Sequence, residues 1–339
     1  MPTPDPTQLM KQHEHSVGTI LLSIARVPQS SRLLYGASDA KVYDYDSADK
    51  KAAPAPFPDQ KHTSYVTGVA LTAENHLVTG GYDCSLIWWD TETKQPLRTI
   101  ENAHERWIRR VIASPDGALI ASIADDMHCH LWDAAAGKKL ATLDDHPAMT
   151  PDHYPSMLYA VAFSPDGMFL ATADKTGHIA IWDVATHKKL AALECPVMYT
   201  WDPKARRHSI GGIRSVGFSH DGRLLAAGGI GKIGNIDHLG GPSRIEVFDW
   251  RAGKRLHEIS DDKFKGLVEQ ITFHPGGEWF IAAGGDHGGF VSVYDIKTGK
   301  TIKQEKAPSH VHGFAMNEDY TQLHAACHQK IARFSLGEA

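Results

Sequence analysis

A four-residue turn that keeps returning limits the folds open to this chain more than any other feature. It reads SPDG at 114–117 and 164–167, SHDG at 219–222 and HPGG at 274–277. Each copy follows a run that alternates apolar and polar residues: IRRVIA, YAVAF, IRSVGF and VEQITF. A period of two marks a strand with one buried face. In the turn, Pro or its substitute presets φ, Asp bonds its own backbone and Gly takes the left-handed position. Weaker copies stand at 27–30, 72–75 and 317–320. A second series closes a different strand: Tyr45-Asp46, Trp89-Asp90, Trp132-Asp133, Trp182-Asp183, Phe248-Asp249, Tyr294-Asp295 and Phe334-Ser335. Most of these dipeptides lead into a short polar turn and one further strand. The unit is therefore four strands joined by tight turns, recurring every 40 to 66 residues. Such a unit cannot bury its apolar face alone, so the copies must stack on one another.

Trp-Asp dipeptides closing a strand, with a His some 25 residues upstream, resemble the WD-repeat (WD-40 type) β-propeller family. The resemblance runs from about residue 15 to 336 and implies an all-β, seven-bladed β-propeller of four-stranded antiparallel blades. Eight blades would leave about 42 residues each and no room for the insertions described below. The resemblance also implies a buried tetrad in each well-formed blade: a His, a Ser or Thr, an Asp and the closing Trp. His62, Thr79, Asp83 and Trp89 match it in the second blade, and His104, Ser122, Asp126 and Trp132 in the third. The fourth blade keeps Thr172 and Trp182 but has Thr176 where the Asp is expected. In the fifth to seventh blades Phe248, Tyr294 and Phe334 replace Trp, so packing alone is expected to hold them. His, Ser and Asp are also the ingredients of nucleophilic triads. Their repetition once per blade favours the structural role.

Composition narrows the partners. Against 40 acidic residues the 339-residue chain has 35 Lys and Arg, a formal charge of -5. A nucleic-acid footprint usually brings a basic excess, and none is expected here. Cys84, Cys129, Cys195 and Cys327 form no CxxC pair, so neither a disulfide framework nor a zinc signature is read. No stretch approaches the ~18 to 20 apolar residues of a membrane span. The short apolar run at 17–25 lacks the flanks of a signal peptide and is needed as a strand. Unpaired cysteines suit a reducing compartment, so a cytoplasmic monomer is expected.

Two motifs are weighed and set aside. Gly229, Gly231 and Gly234 match G-x-G-x-x-G, but the following NIDHLGGPSR cannot open the helix that a dinucleotide phosphate needs. His128-x-His130, His310-x-His312 and His13-x-His15 pair imidazoles on one strand face, yet no further ligands can be placed beside them. No metal, cofactor or catalytic residue is assigned.

The departures from a bare propeller carry the functional expectation. Insertions at 145–156, 195–212 and 228–243 are expected side by side on the narrower face, over the fourth and fifth blades. They carry Tyr154, Trp201, Arg206, Arg207, His208, Lys232 and His238. Aromatic and Arg residues are enriched in interface hot spots. The bland alternative is that the insertions merely pack on one another. Alignment of the innermost strands adds a ring of Thr67, Arg109, Tyr159, Arg214, Glu269 and His312, with Trp107 beside it. The family resemblance places this ring near the channel mouth on the same face. The expected function is a non-catalytic scaffold binding a protein or peptide there. The competing class is a propeller enzyme, or a propeller binding a metal or small ligand at the channel mouth. Residues 1–8 are read as a disordered Pro-rich tail before a single propeller at 9–336, with 8–14 supplying the last blade's outer strand.

Overall fold

A computed structural model describes residues 4–49, 51–59, 61–204, 207–234 and 239–337, the Asp262 side chain excepted. Seven four-stranded antiparallel sheets form a seven-bladed propeller. Blade one comprises Leu21–Arg26, Arg32–Ala37, Val42–Asp46 and the two-residue Ala55–Pro56. Blade two comprises Val66–Leu71, His76–Gly81, Leu86–Asp90 and Pro96–Ile100, and blade three Ile108–Ala113, Leu119–Ala124, Cys129–Asp133 and Lys139–Leu143. Blade four is Leu158–Phe163, Phe169–Asp174, His178–Asp183 and Lys189–Glu194. Blade five is Ile213–Phe218, Leu224–Ile230, Pro242–Asp249 and Lys254–Lys265. Blade six is Leu267–Phe273, Trp279–Gly285, Gly289–Asp295 and Thr301–Ala307.

Blade seven takes Val311–Met316, Gln322–Cys327 and Lys330–Ser335 from the C-terminal end and Met10–Ser16 from the N-terminal end. Met10 pairs with Ser335 and Ser16 with Lys330, which closes the ring. Leu9, 1% exposed, packs with Phe334 and Leu336 in the seam between blades six and seven. The expected closure holds, with the closing strand at Met10–Ser16 rather than 8–14. The reading of residues 1–8 as disordered needs correction. Pro6–Gln8 form a single 3-10 turn, Asp5 accepts the Thr7 N–H at 2.8 Å, and the Asp5 N–H reaches the Leu336 carbonyl at 3.1 Å. Proline at the start of such a turn presets its φ, so it builds structure here rather than preventing it. Residues 1–3 lie outside the described residues.

Apolar side chains collect in seams between neighbouring blades rather than in one central core. That follows from strands buried on both faces, each packing against the blade before and the blade after.

The tetrads of blades two and three are complete. His104 Nδ1 lies 2.9 Å from Asp126 Oδ2 and Nε2 lies 2.7 Å from Ser122 Oγ, which accepts the Trp132 indole N–H at 2.9 Å. His62, Asp83, Thr79 and Trp89 repeat the arrangement at 2.7 to 2.9 Å. Because the hydroxyl accepts from indole, its own hydrogen goes to Nε2, leaving Nδ1–H to face the carboxylate. Burial alone would raise these acids. The imidazole contact outweighs it, so Asp83 sits below its ordinary value and Asp126 falls to about 2.

Blade four corrects the sequence reading. Its tetrad is complete, with His146 bonded to Asp174 at 2.9 Å and to Thr172 at 2.8 Å, and Trp182 donating to Thr172 at 3.0 Å. Asp174 stands two residues after Thr172, on the same face of the strand, instead of in the following turn. Thr176 occupies that turn and donates its N–H and hydroxyl to Asp174 Oδ1 at 2.8 and 2.7 Å. Packing alone does not hold blade five either. Buried Glu246 accepts from Arg244 at 2.7 Å and is ion-paired with Arg255 at 3.2 Å, and Arg244 also reaches Glu258 at 2.8 Å.

Candidate interaction face at the channel mouth

Every innermost strand carries a β-bulge at the same place. Register slips at Leu22, Thr67, Arg109, Tyr159, Arg214, Glu269 and His312, one residue per blade. A bulge inserts one unpaired residue and re-aims its side chain. Here all seven line one cavity of about 130 Å³ at the channel mouth. Six of the seven are the ring read from sequence. Leu22 was missed because it is apolar, although it too stands five residues ahead of its hairpin turn, which begins at Val27.

A second set, also missed, stands beside the same mouth, with Tyr82 lining it and Asp125 bonded to Arg109 of its wall. Tyr82, Asp125 and Lys175 each follow the tetrad hydroxyl of their blade by three residues, a spacing that would have found them. Their N–H groups are held by the carbonyls of Tyr65, Trp107 and Met157 respectively. Arg109 grips Asp125 with two nitrogens at 2.7 and 2.6 Å and the Tyr82 hydroxyl with the third. Its guanidinium lies 5.0 Å from the Tyr82 ring centre and 5.6 Å from those of Trp107 and Tyr159. Tyr82 stacks on Trp107 at 4.5 Å and on Tyr65 at 5.5 Å. Trp107 remains 50% exposed and, with Arg106 and Met157, lines an open groove of about 490 Å³ next to the mouth.

Below the ring, Arg110 crosses the axis. Its guanidinium reaches the Glu269 carbonyl at 2.6 Å and carboxylate at 3.5 Å, from blade three to blade six. Arg110 and Glu269 line both the mouth and a deeper channel cavity of about 290 Å³, so the pair stands between them. Burial would raise Glu269, but His310 at 3.5 Å and the two arginines pull its carboxyl down to about 2. Burial lowers His312 to about 4, so it is neutral at ordinary pH.

The three insertions form a separate patch. The hairpin of Tyr199–Asp202 and His208–Gly211 lies against the first insertion, where Tyr154 meets Trp201 at 5.2 Å and His208 at 5.4 Å. Tyr199 donates to Asp152 at 2.8 Å, and Thr200 accepts the Ile233 N–H of the third insertion at 3.2 Å. Tyr154 and Trp201 thus pack on one another across two insertions and remain partly exposed. Arg207 and Lys232 are exposed. Arg206 and His238 lie outside the described residues.

His104, Asp126 and His130 bring three possible ligand atoms within 4.8 Å of one another. Both nitrogens of His104 and the facing carboxylate oxygen are already spent in the tetrad, and His130 Nδ1 contacts Thr142 at 3.1 Å. This donor set does not fit a metal. Gly229 of the glycine motif lies inside a strand, where an added Cβ would meet the Gly212 carbonyl at 2.4 Å, so close packing requires the glycine.

Seven phased blades, three with a full His-Asp-hydroxyl-indole relay, around a polar bulge-lined mouth define the class as a β-propeller of Trp-Asp repeats. Comparison with known proteins agrees, since the model of the WD domain, G-beta repeat, matches residues 59–90, 94–133 and 137–183. Those three stretches are matched as WD repeats, and proteins built of such repeats generally serve as protein-interaction scaffolds. It is 41% identical over 64 residues to nuclear distribution protein PAC1 of Arthroderma otae, covering 19% of this chain and 14% of that one. With small ribosomal subunit protein RACK1 of Caenorhabditis elegans it shares 34% over 88 residues, 25% of this chain and 27% of that one. Eukaryotic translation initiation factor 3 subunit I of Candida albicans matches at 27% over 228 residues, 66% of this chain and 57% of that one. The aligned part therefore spans between 14% and 57% of these relatives' lengths.

Proposed function

We propose that this chain is a non-catalytic interaction module that holds a protein or peptide partner across the narrower face. The observation that carries this reading is the stack of Tyr65, Tyr82 and Trp107 fixed by Arg109, half-exposed beside an open groove. Aromatic rings and Arg supply most of the binding energy at interfaces, above all where rigid neighbours hold them. Nothing in the seven-bladed frame requires an exposed Trp at that position. Two relatives are named as subunits of larger assemblies, which supports a binding role within a complex. Four free cysteines support a reducing compartment, and we place the protein in the cytoplasm as a monomer. Partner contacts are assigned to Trp107, Arg109, Tyr159, Arg214, Glu269 and His312, with Arg207 and Lys232 at the rim.

The test is affinity capture with mass spectrometry, comparing the native protein with Trp107→Ala. The expected result is loss of the specific partners from the variant, with a melting temperature close to that of the native protein. Partners retained by the variant would move the interface away from this face.

A further inference from the structure

The charges at the mouth do not balance. Arg109, Arg110 and Arg214 line it, Lys175 lies beside them at the position that Asp125 holds in blade three, and only two carboxylates stand among these four cations. Asp125 is taken by Arg109 and Glu269 by Arg110. Among the described residues, neither Lys175 nor Arg214 has a carboxylate partner. Lys175 is only 4% exposed, and no hydrogen bond to its ammonium is found among those residues. Burial, with Arg214 and Arg109 adding to it, lowers its pKa. Arg214 lies 3.6 Å from the Tyr159 ring centre, while its Nε is buried without an acceptor. Taking unpaired charges out of water is costly unless something pairs with them.

We propose that this mouth is a binding site for the phosphate of a phosphorylated side chain on the partner, held by Lys175 and Arg214. The inference rests on the narrow-face reading above and names what that face recognises. Two unpaired cations match a group carrying about -1.5 to -2 charges and three strong acceptor oxygens. A single carboxylate would leave one of them uncompensated. Arginine suits phosphate further, because its planar fork makes parallel hydrogen bonds to two oxygens. The cavity of about 130 Å³ has the volume of roughly four waters, enough for the group. A side chain is favoured over a free ion because Arg109, on the mouth's wall, stacks against Trp107, which lines the groove of about 490 Å³. That groove offers a path for the peptide flanking the phosphate.

The experiment uses the full chain and three pools of degenerate peptides that differ only in a fixed central phosphoserine, serine or glutamate. Inorganic phosphate serves as a separate probe. The phosphoserine pool is expected to be retained at least tenfold better than the other two and to be displaced by inorganic phosphate. Lys175→Met and Arg214→Gln should each abolish that preference. Lys175→Met keeps the volume and removes a buried unpaired charge, so without ligand it should melt no earlier than the native protein. A lysine that merely supports the fold would make the variant melt earlier. Equal, Trp107-dependent retention of all pools would overturn this inference and leave the interaction face standing. Phosphate binding that needs Lys175 but brings no peptide preference would assign the site to a free anion and overturn the side-chain proposal. Retention that survives both substitutions, or binding of neither pool nor phosphate, would also overturn it.

Discussion

Blades two to four and blades five to seven solve the same problem with different chemistry. In the first group a His, an Asp, a hydroxyl and an indole pass hydrogen bonds through each blade. In the second group Ala227, Ala282 and Ala325 stand at the hydroxyl position, and an aromatic without the indole donor closes the strand. Blade five substitutes the Arg244, Glu246 and Arg255 cluster. Blade six stacks Tyr294 on Phe280 at 5.2 Å, and blade seven depends on a strand from the other end of the chain. A blade needs its buried polar atoms satisfied and its seams filled; it does not need any one set of residues to do so. The mouth lies across both groups, with Arg110 of blade three tied to Glu269 of blade six.

The sharpest way to break this contrast is at the seam. Removing residues 1–14 exposes the edge of Lys330–Ser335 and empties the site of Leu9. Losing one buried Leu costs about 2 to 5 kcal/mol, and an open strand edge invites aggregation. The expected outcome is a loss of about 4 kcal/mol or more in denaturant unfolding, or aggregation. The Asp5 to Leu336 bond makes removal of residues 1–7 a smaller but measurable loss. A 15–339 protein that unfolds with the full chain would show that blade seven needs only three strands.

Next in size is the charge cluster of blade five. Glu246→Ala removes the buried carboxylate that Arg244 and Arg255 share and leaves them only the exposed Glu258, and removing one member of a buried pair costs about 3 to 5 kcal/mol. Replacing the pair together, as Arg244→Met with Glu246→Leu, should recover most of that loss. A cost below about 1 kcal/mol for the single change would mean that packing alone carries blade five.

Blades two to four should respond more mildly. Asp126→Ala and Asp174→Ala each leave a buried imidazole short of its acceptor, at about 1 to 3 kcal/mol. Acid sharpens the test. An acid whose folded pKa is depressed adds stability above its unfolded value of about 4. That stability is lost as pH falls through the folded value, about 2 for Asp126. The gap in denaturant midpoint between native protein and Asp126→Asn should therefore be full at pH 6 and narrow between pH 4 and 2. A gap independent of pH would remove the carboxylate from the account.

The ring and the tetrads of blades two and three were legible because both rest on fixed offsets from a turn. Thr79 to Asp83 and Ser122 to Asp126 share one spacing, and the bulge residues share another. What escaped were changes that keep the contact but shift the residue. The 145–156 insertion pushes His146 to 26 residues before Thr172, against 17 and 18 in blades two and three. Asp174 then reaches it from the strand itself. The blade-five cluster was hidden because its charges lie in strands read only for apolar alternation. Asp125 and Lys175 belong to neither pattern, although their charges lie beside the mouth. Contact between Tyr154 and Trp201 depends on how two insertions fold over each other, which no spacing encodes.

Thr176→Ala is the smallest change and the one that decides between the two readings of blade four. If Thr176 stood in for a missing acid, as the spacing suggests, its loss would be the lesion that matters and Asp174 would be an ordinary strand residue. In the structure Thr176 only supports Asp174, through its N–H and hydroxyl. Alanine keeps that N–H and removes the hydroxyl. Asp174 Oδ1 still has the His178 N–H at 3.2 Å, and Oδ2 still has His146. One hydrogen bond of a well-supplied carboxylate is therefore lost, at about 0.5 to 1.5 kcal/mol. The order expected from chemical denaturation is Asp174→Ala well below Thr176→Ala, and Thr176→Ala slightly below the native protein. If Thr176→Ala proved the more damaging of the two, the relay would run through Thr176, and blade four would rejoin those whose tetrad is broken.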